Sequence, residues 1–84
     1  MTREEVFERV RDYLATELAV DAGAIGDGTR FKDDLNADSL HLVELMVELE
    51  DSYGIRIPDD EAARIETVGQ VVDYVAAHVP EKAS

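Results

Sequence analysis

Ser39 is the residue best placed for chemistry, because it follows an irregular segment and opens the strongest helical pattern in the chain. Asp38 or Ser39 can cap that helix, since a short side-chain oxygen accepts a hydrogen bond from a free amide of the first turn. A serine at this position is expected to be partly exposed. The same amides and the positive end of the helix dipole favour a phosphate ester. The sequence therefore predicts either a plain helix cap or a phosphate-ester site here.

The helix that follows is predicted to run from Ser39 to about Tyr53 and carries two apolar stripes. At about 100° per residue, one face that we expect in the core collects Leu42, Leu45, Met46, Leu49 and Tyr53. The second stripe and its acidic flanks consist of Leu40, Val43, Val47, Glu44, Glu48 and Glu50. A helix buried more than half-way round would explain the second stripe. A docking surface beside the serine, with an acidic rim that orients basic partners, would also explain it.

Other chemistries fit the residues around the serine poorly. The glycines at 23, 26 and 28 precede no Gly-Lys-Ser/Thr, which a phosphate-binding loop requires. A calcium loop would begin at Asp34, but Ser39 and Leu45 stand where it needs glycine and glutamate. A serine hydrolase needs a glycine elbow or a histidine held by a carboxylate, and the sequence shows nothing that would hold His41 or His78. We predict no metal site and no catalytic residue.

Composition and charge limit the class of partner. The 84 residues make one domain, in which 20 acidic and 8 basic side chains give a net charge of −12. Residues 33–66 alone hold 11 acidic and two basic side chains. This charge argues against nucleic acid or an anionic membrane and favours proteins with basic patches. The chain has no cysteine, so any thiol chemistry needs an imported thiol. With no apolar run that could span or enter a membrane and no signal peptide, we expect a cytoplasmic monomer.

The remaining elements predict an all-α fold: a small bundle of three main helices and one short helix, with a long loop between helices 1 and 2. Helix 1 is expected from Thr2 to Leu18, with a capping box formed by Thr2 and Glu5. Its core positions are Val6, Val10, Leu14 and Leu18, with Phe7 and Ala15 beside them. The loop that follows, residues 19–38, is expected to be held by Val20, Ile25, Phe31 and Leu35.

The second half of the chain predicts two further helices. Gly54 ends helix 2 in the left-handed conformation, and residues 55–57 form an extended connector. Pro58 lies in the first turn of a short third helix, whose inward residues are Ala62 and Ile65. A capping box of Thr67 and Gln70 opens helix 4, and Pro80 ends it. The apolar face of helix 4 consists of Val68, Val71, Val72, Val75 and Val79. Residues 81–84 are expected to be a disordered tail.

The residues around Ser39 resemble the acyl carrier protein family. Asp38-Ser39-Leu40 is similar to the motif whose serine carries 4′-phosphopantetheine, and residues 34–48 resemble the family's second helix and its lead-in. The likeness extends to residues 27–31 before the serine and to residues 54–62 after it. The resemblance therefore covers nearly the whole chain.

Two residues depart from the family pattern. Asn36 stands where many members have glycine, and His41 stands where many have an acidic residue. Asparagine also accepts unusual backbone angles, so we expect the first change to be tolerated. The second removes an acidic contact near the serine, and we expect it to affect which modifying enzyme prefers this chain.

The resemblance implies a carrier that catalyses nothing itself. Ser39, flanked by Asp38 and Leu40, would receive 4′-phosphopantetheine from coenzyme A through a phosphopantetheinyl transferase. The thiol would then carry acyl groups as thioesters between a ketosynthase, an acyltransferase and other fatty acid synthesis enzymes with basic docking patches. Partner docking would fall to Leu40, Val43, Glu44, Val47 and Glu48. The family fold shields an acyl chain, and the residues implied near it are Leu45, Leu49, Ile57, Ala62 and Ile65, which would equally suit an ordinary core.

Two alternatives stay open at this point. Carriers of very long acyl, polyketide or aminoacyl groups share the motif, and no residue names the pathway. The chain would otherwise be an acidic interaction subunit that binds a fixed partner, with Ser39 acting only as a helix cap.

Overall fold

The computed structural model describes residues 2–79. Within them the chain forms the helices α1 (Arg3–Leu18), α2 (Ser39–Tyr53), α3 (Asp59–Arg64) and α4 (Val68–His78). A 3₁₀ turn, Ala22–Ala24, lies in the connection between α1 and α2, and these described residues contain no β-strand. The predicted all-α class, with three main helices and one short one, is confirmed. The predicted stop at Pro80 and the tail at 81–84 lie outside the described residues.

Side-chain caps define the helix ends. The Thr2 hydroxyl accepts from the Glu5 amide at 3.1 Å, and the Glu5 carboxylate accepts from the Thr2 amide at 2.9 Å. Thr67 and Gln70 form the second predicted capping box. Gly54 ends α2 with φ at 66°, in the left-handed region that glycine favours. The helix starts agree with the prediction to within one residue: Thr2 and Pro58 are the extended N-caps that immediately precede α1 and α3.

The core lies between α1, α2 and α4. Each helix contributes one apolar face, and the connections add a few large side chains between the helices. The fully enclosed residues include Val6, Val10, Leu14, Phe31, Leu45, Leu49, Val68, Val71, Val72 and Val75. Leu18, Leu42 and Val79, all predicted on core faces, are only half-buried and pack against the edge of this cluster. Leu18 and Leu42 lie in a terminal turn of α1 and α2, and Val79 is the C-cap of α4.

Backbone hydrogen bonds tie the long connection to the start of α4. The Phe31 amide donates to the Glu66 carbonyl at 3.0 Å, and the Val68 amide donates to the Thr29 carbonyl at 2.9 Å. Val20, Ile25, Phe31 and Leu35 pack in or against the core, as predicted. The connection is therefore held at several points along its length, which positions Ser39 at its end.

Gly69 lies where the connection passes closest to α4. Its amide donates to the Asp27 carbonyl at 2.8 Å, and a Cβ on Gly69 would lie 2.8 Å from that same oxygen. We expect Gly69→Ala to destabilise the fold by about 1–2 kcal/mol, because the overpacking cost exceeds the gain in helix propensity. Urea unfolding measures the difference. Gly26→Ala is the matched control, since a Cβ there has no atom within 4 Å. Equal stability of the two variants would contradict this account of the close approach.

Candidate functional site

The hydroxyl of Ser39 is not used to cap α2. Ser39 is the first residue of α2 and is exposed, whereas Asp38 is the N-cap and its Oδ1 accepts from the His41 amide at 3.0 Å. Among the described residues, no side-chain hydrogen bond involves the Ser39 hydroxyl. Of the two residues that the sequence offered as caps, the fold uses the aspartate. An accessible serine oxygen therefore lies beside the positive end of a helix dipole.

The electrostatics of the cap lower the pKa of Asp38. The main cause is the hydrogen bond from the His41 amide, and the charge of the His41 side chain and the amides of Leu40 and Asp38 act in the same direction. A carboxyl whose pKa is lower in the folded state stabilises the fold above its unfolded pKa. That contribution is lost as the pH falls through the lowered pKa. The carboxylate beside Ser39 is therefore ionised at neutral and mildly acidic pH.

His41 completes a capping box with Asp38. Its Nδ1 lies 3.4 Å from the Asp38 amide and 3.1 Å from Asp38 Oδ1, and its side chain is 37% exposed. The expectation that nothing holds the histidines was wrong, since His78 also bonds the Tyr74 carbonyl at 2.8 Å and stacks on its ring. Neither histidine shares a hydrogen bond with Ser39 in the described part of the chain. The contacts therefore hold His41 as a backbone cap and do not make it a base for the serine.

Asn36 sets the path of the chain into the site. Its φ is 57°, a left-handed angle that asparagine tolerates better than most residues, as the sequence predicted. The next residue, Ala37, is buried and its amide donates to the Phe31 carbonyl at 2.8 Å. This turn was not foreseen, and it brings Asp38 to the start of α2 with its side chain free to cap.

The second apolar stripe of α2 faces outward. Leu40, Val43 and Val47 are 64%, 57% and 49% exposed. Glu44 is exposed and Glu48 is half-buried, with Glu48 Oε2 accepting from the Ser52 hydroxyl at 2.8 Å. The alternative of a helix buried more than half-way round is therefore wrong. A contiguous apolar surface with acidic side chains starts one residue after Ser39.

Glu50 has a different role from its predicted place at the rim of this stripe. Its Oε2 accepts from the Ile57 amide at 2.7 Å, and its backbone carbonyl accepts from the Gly54 amide at 2.9 Å. Glu50 therefore holds the connector between α2 and α3. No sequence signal identified this contact, because it depends on where the connector returns.

The residues expected near an acyl chain divide into two groups. Leu45, Leu49 and Ile57 are buried in the core. Ala62 and Ile65 are half-buried and line a surface cavity of about 700 Å³ between α2, α3 and residues 30–33. Phe31 and Leu42 also line this cavity, as do the basic residues Arg30 and Lys32. The structure thus brings two of the five together in an open space and keeps the other three packed beneath the surface.

Residues 2–79 lack two further features. No group of three or more histidine, cysteine, aspartate or glutamate side chains is placed to hold a metal ion. No helix in that range has both the length and the apolar character to cross a membrane.

The family model for the phosphopantetheine attachment site matches residues 8–75 of the chain. The chain therefore belongs to the phosphopantetheine-binding carrier class. Within that class, its relatives show that it belongs to the acyl carrier protein family. The chain is 46% identical to the acyl carrier protein of Lactobacillus acidophilus, over 93% of this chain and 98% of the relative. It is also 46% identical to that of Rubrobacter xylanophilus, over 93% and 96%.

A solved structure agrees with the sequence relatives. The acyl carrier protein from Enterococcus faecalis superimposes with a TM-score of 0.81 at 44% identity, over 92% of this chain and 98% of the other. Proteins of this family are carriers and not catalysts, and they hold a covalently attached 4′-phosphopantetheine. The site fits such a group, since the exposed Ser39 hydroxyl is not engaged in the cap.

Proposed function

We propose that this chain carries acyl intermediates as thioesters on 4′-phosphopantetheine attached to Ser39. In the modification, Ser39 Oγ attacks the phosphorus on the pantetheine side of the coenzyme A pyrophosphate. A phosphoester bond forms at the serine, the pyrophosphate P–O bond breaks, and adenosine 3′,5′-bisphosphate leaves. The serine proton passes to a base of a separate phosphopantetheinyl transferase. The chain itself supplies the oxygen and the surface that the transferase recognises.

The single observation that supports this proposal is that Asp38, and not Ser39, caps the start of α2. Asp38 satisfies the amide that a capping serine would otherwise bind, at 3.0 Å, and Ser39 is left exposed. A phosphodiester on Ser39 would lie at the positive end of the helix dipole, where negative charge is stabilised. Because Asp38 already caps α2, Ser39 is not needed as a helix cap.

We assign the docking of partner enzymes to the exposed apolar stripe on α2 and to the glutamates beside it. The proposed contacts are Leu40, Val43, Glu44, Val47 and Glu48. Apolar side chains supply the contact area, and the two glutamates orient partners with basic patches, such as a ketosynthase or an acyltransferase. Exposed ion pairs contribute only about 0–1 kcal/mol each. Such a surface suits a carrier that must release each enzyme in turn.

The acyl chain is proposed to enter beside α3. Ala62 and Ile65 already line the open cavity, together with Leu42. Leu45, Leu49 and Ile57 would form the inner wall once the helices move apart, because the closed core leaves them no free space. The cargo is proposed to be a fatty acyl group of cytoplasmic fatty acid synthesis. Polyketide and aminoacyl cargoes would use the same serine.

Intact mass after incubation with coenzyme A and a broad-specificity phosphopantetheinyl transferase tests the attachment. We expect the wild type to gain one phosphopantetheine and Ser39→Ala to gain none. Ser52→Ala is the matched control, because Ser52 is an exposed serine of the same helix, and it should be modified like the wild type. Failure of the wild type to gain mass, with its helix content intact, would favour the interaction-subunit alternative. Modification of Ser39→Ala would place the attachment elsewhere.

A further inference from the structure

An open groove of about 630 Å³ lies between α1 and the C-terminal half of α2. It shares no lining residue with the cavity beside α3. Glu48 connects it to the proposed docking stripe, because this glutamate lines the groove and also follows Val47 on α2. Five carboxylates face one guanidinium here, which leaves an excess of four negative charges. The charged residues that line the groove are Glu5, Glu8, Arg9, Asp12, Glu17 and Glu48.

Several of these carboxylates have no cation beside them within the protein. Asp12 pairs with Arg11 at 3.0 Å. Glu8 and Glu17 are exposed and make no ion pair within residues 2–79. Exposed acids are common on solvated helix faces, so their charge alone does not specify a ligand. The tyrosine beneath them gives the groove its second feature.

Tyr53 lines the groove and has a hydroxyl without a hydrogen-bond partner. Its side chain is only 9% exposed, and the buried hydroxyl makes no hydrogen bond in the part of the chain that the structure describes. Burial raises the pKa of this phenol, Arg9 lowers it and Glu5 raises it. Arg9 and Glu5 both line the groove, so the hydroxyl lies on the groove side of the ring. A ligand that bonds to this hydroxyl would satisfy a polar group that is otherwise destabilising.

Arg9 shows which chemical group the groove accommodates. Its guanidinium carbon lies over the Tyr53 ring, 5.6 Å from the ring centroid. The face of an aromatic ring attracts a cation in this position. Arg9 is exposed and makes no ion pair between Thr2 and Val79, so its side chain can rotate away. The same place then suits a guanidinium from another molecule.

We propose that this groove is a second docking site, which binds an arginine side chain of a partner protein. The partner's guanidinium replaces that of Arg9, donates to the Tyr53 hydroxyl and is held by the carboxylates of Glu17 and Glu48. Arginine is favoured over lysine, because its planar group stacks on aromatic rings and carries several donors in a fixed geometry. A partner bound in this way contacts α1 as well as α2. The site does not depend on modification of Ser39.

An NMR titration with acetyl-arginine amide tests the binding, and acetyl-citrulline amide is the uncharged control. We expect saturable shifts of the Tyr13 and Tyr53 ring resonances with the arginine probe alone. Tyr53→Phe removes only the hydroxyl and should raise the Kd about two- to ten-fold, the effect of about one hydrogen bond. Tyr74→Phe is the matched control, because the Tyr74 hydroxyl donates to the Arg56 carbonyl at 3.1 Å outside the groove. It should bind the probe like the wild type.

A second pair of variants tests the charge of the groove. Glu17→Gln should raise the Kd by about two- to five-fold, the range expected for an exposed ion pair. Glu4→Gln removes the same charge from an exposed position of α1 that does not line the groove. It should change the Kd clearly less. Equal effects of the two substitutions would mean that the probe senses only the net charge of the protein, which would overturn the proposed site.

Thermal unfolding separates the role of the Tyr53 hydroxyl in binding from a role in stability. Tyr53→Phe should not lower the Tm, because it removes a buried hydroxyl that has no partner, whereas Tyr74→Phe should lower it. A lower Tm for Tyr53→Phe, an unchanged Kd for that variant, or equal shifts with the citrulline probe would each overturn the inference. The same ring shifts with magnesium chloride at equal ionic strength would also overturn it, since the groove would then take any cation. None of these results bears on the attachment at Ser39, which intact mass tests separately.

Discussion

Phe31→Ala is expected to destabilise the fold by about 3–5 kcal/mol, the cost of truncating a fully buried aromatic side chain. Phe31 is 1% exposed and holds the segment that leads to Ser39. A domain of 84 residues, at about 0.05–0.15 kcal/mol per residue, has roughly 4–13 kcal/mol in total. The substitution therefore removes a large part of the stability. Urea unfolding followed by circular dichroism measures the loss.

Phe7→Ala is the control for this prediction. Phe7 is only partly buried, and Arg11 lies over its ring at 5.9 Å. The same truncation there should cost clearly less, because less apolar surface is removed from the core. Hydrogen exchange adds a local test: the Ala37 amide, which donates to the Phe31 carbonyl, should exchange faster in Phe31→Ala. Equal losses in the two variants would mean that Phe31 is not the anchor of the connection.

Val43→Asp is expected to raise the KM for the carrier in the transferase reaction by about 30-fold or more. Val43 lies between Leu40 and Val47 on the exposed stripe, and a disrupted contact at the centre of an interface costs about 2 kcal/mol or more. The side chain is 57% exposed, so the free protein should keep its helix content and its stability. Steady-state kinetics at varied carrier concentration separate this docking defect from an effect on kcat.

Ala77→Asp provides the matched control, since Ala77 is an exposed residue of α4 and the substitution adds the same charge. It should leave the KM near the wild-type value. Raising the salt concentration should weaken wild-type docking, because exposed charges are screened over about 10 Å at 0.1 M. A salt-independent KM would remove the electrostatic part of the docking proposal, and equal effects of both aspartates would remove the apolar part.

The sequence was sufficient for the helices, because their signals are local. A threonine three residues before a glutamate or glutamine predicted two of the capping boxes, at the starts of α1 and α4. Gly54 predicted the end of α2. The apolar period of each helix predicted most of the buried residues. The motif around Ser39 led to the carrier family, which the comparisons then confirmed.

The outward position of the second stripe required the tertiary structure. Leu40, Val43 and Val47 have the period of a buried face, and periodicity alone does not say whether another element covers it. The same limit applies to the residues implied near an acyl chain. The sequence predicts both Leu45 and Ala62 on inward faces, yet Leu45 is enclosed in the core and Ala62 lines an open cavity.

Contacts between residues far apart in the chain could not be predicted from the sequence. The hydrogen bond from Ile57 to Glu50 and the burial of Ala37 depend on where connectors return, which no local pattern encodes. The contact of the His41 ring with the Asp38 amide was not predicted, because helix rules describe which faces side chains share and not a side chain that folds back to the preceding backbone. The sequence thus determined which residue is modified in the proposal and which helix presents it. Only the packed chain decided that Asp38 caps that helix, that Ser39 stays accessible, and that a histidine holds the cap, because each depends on atoms that meet after folding.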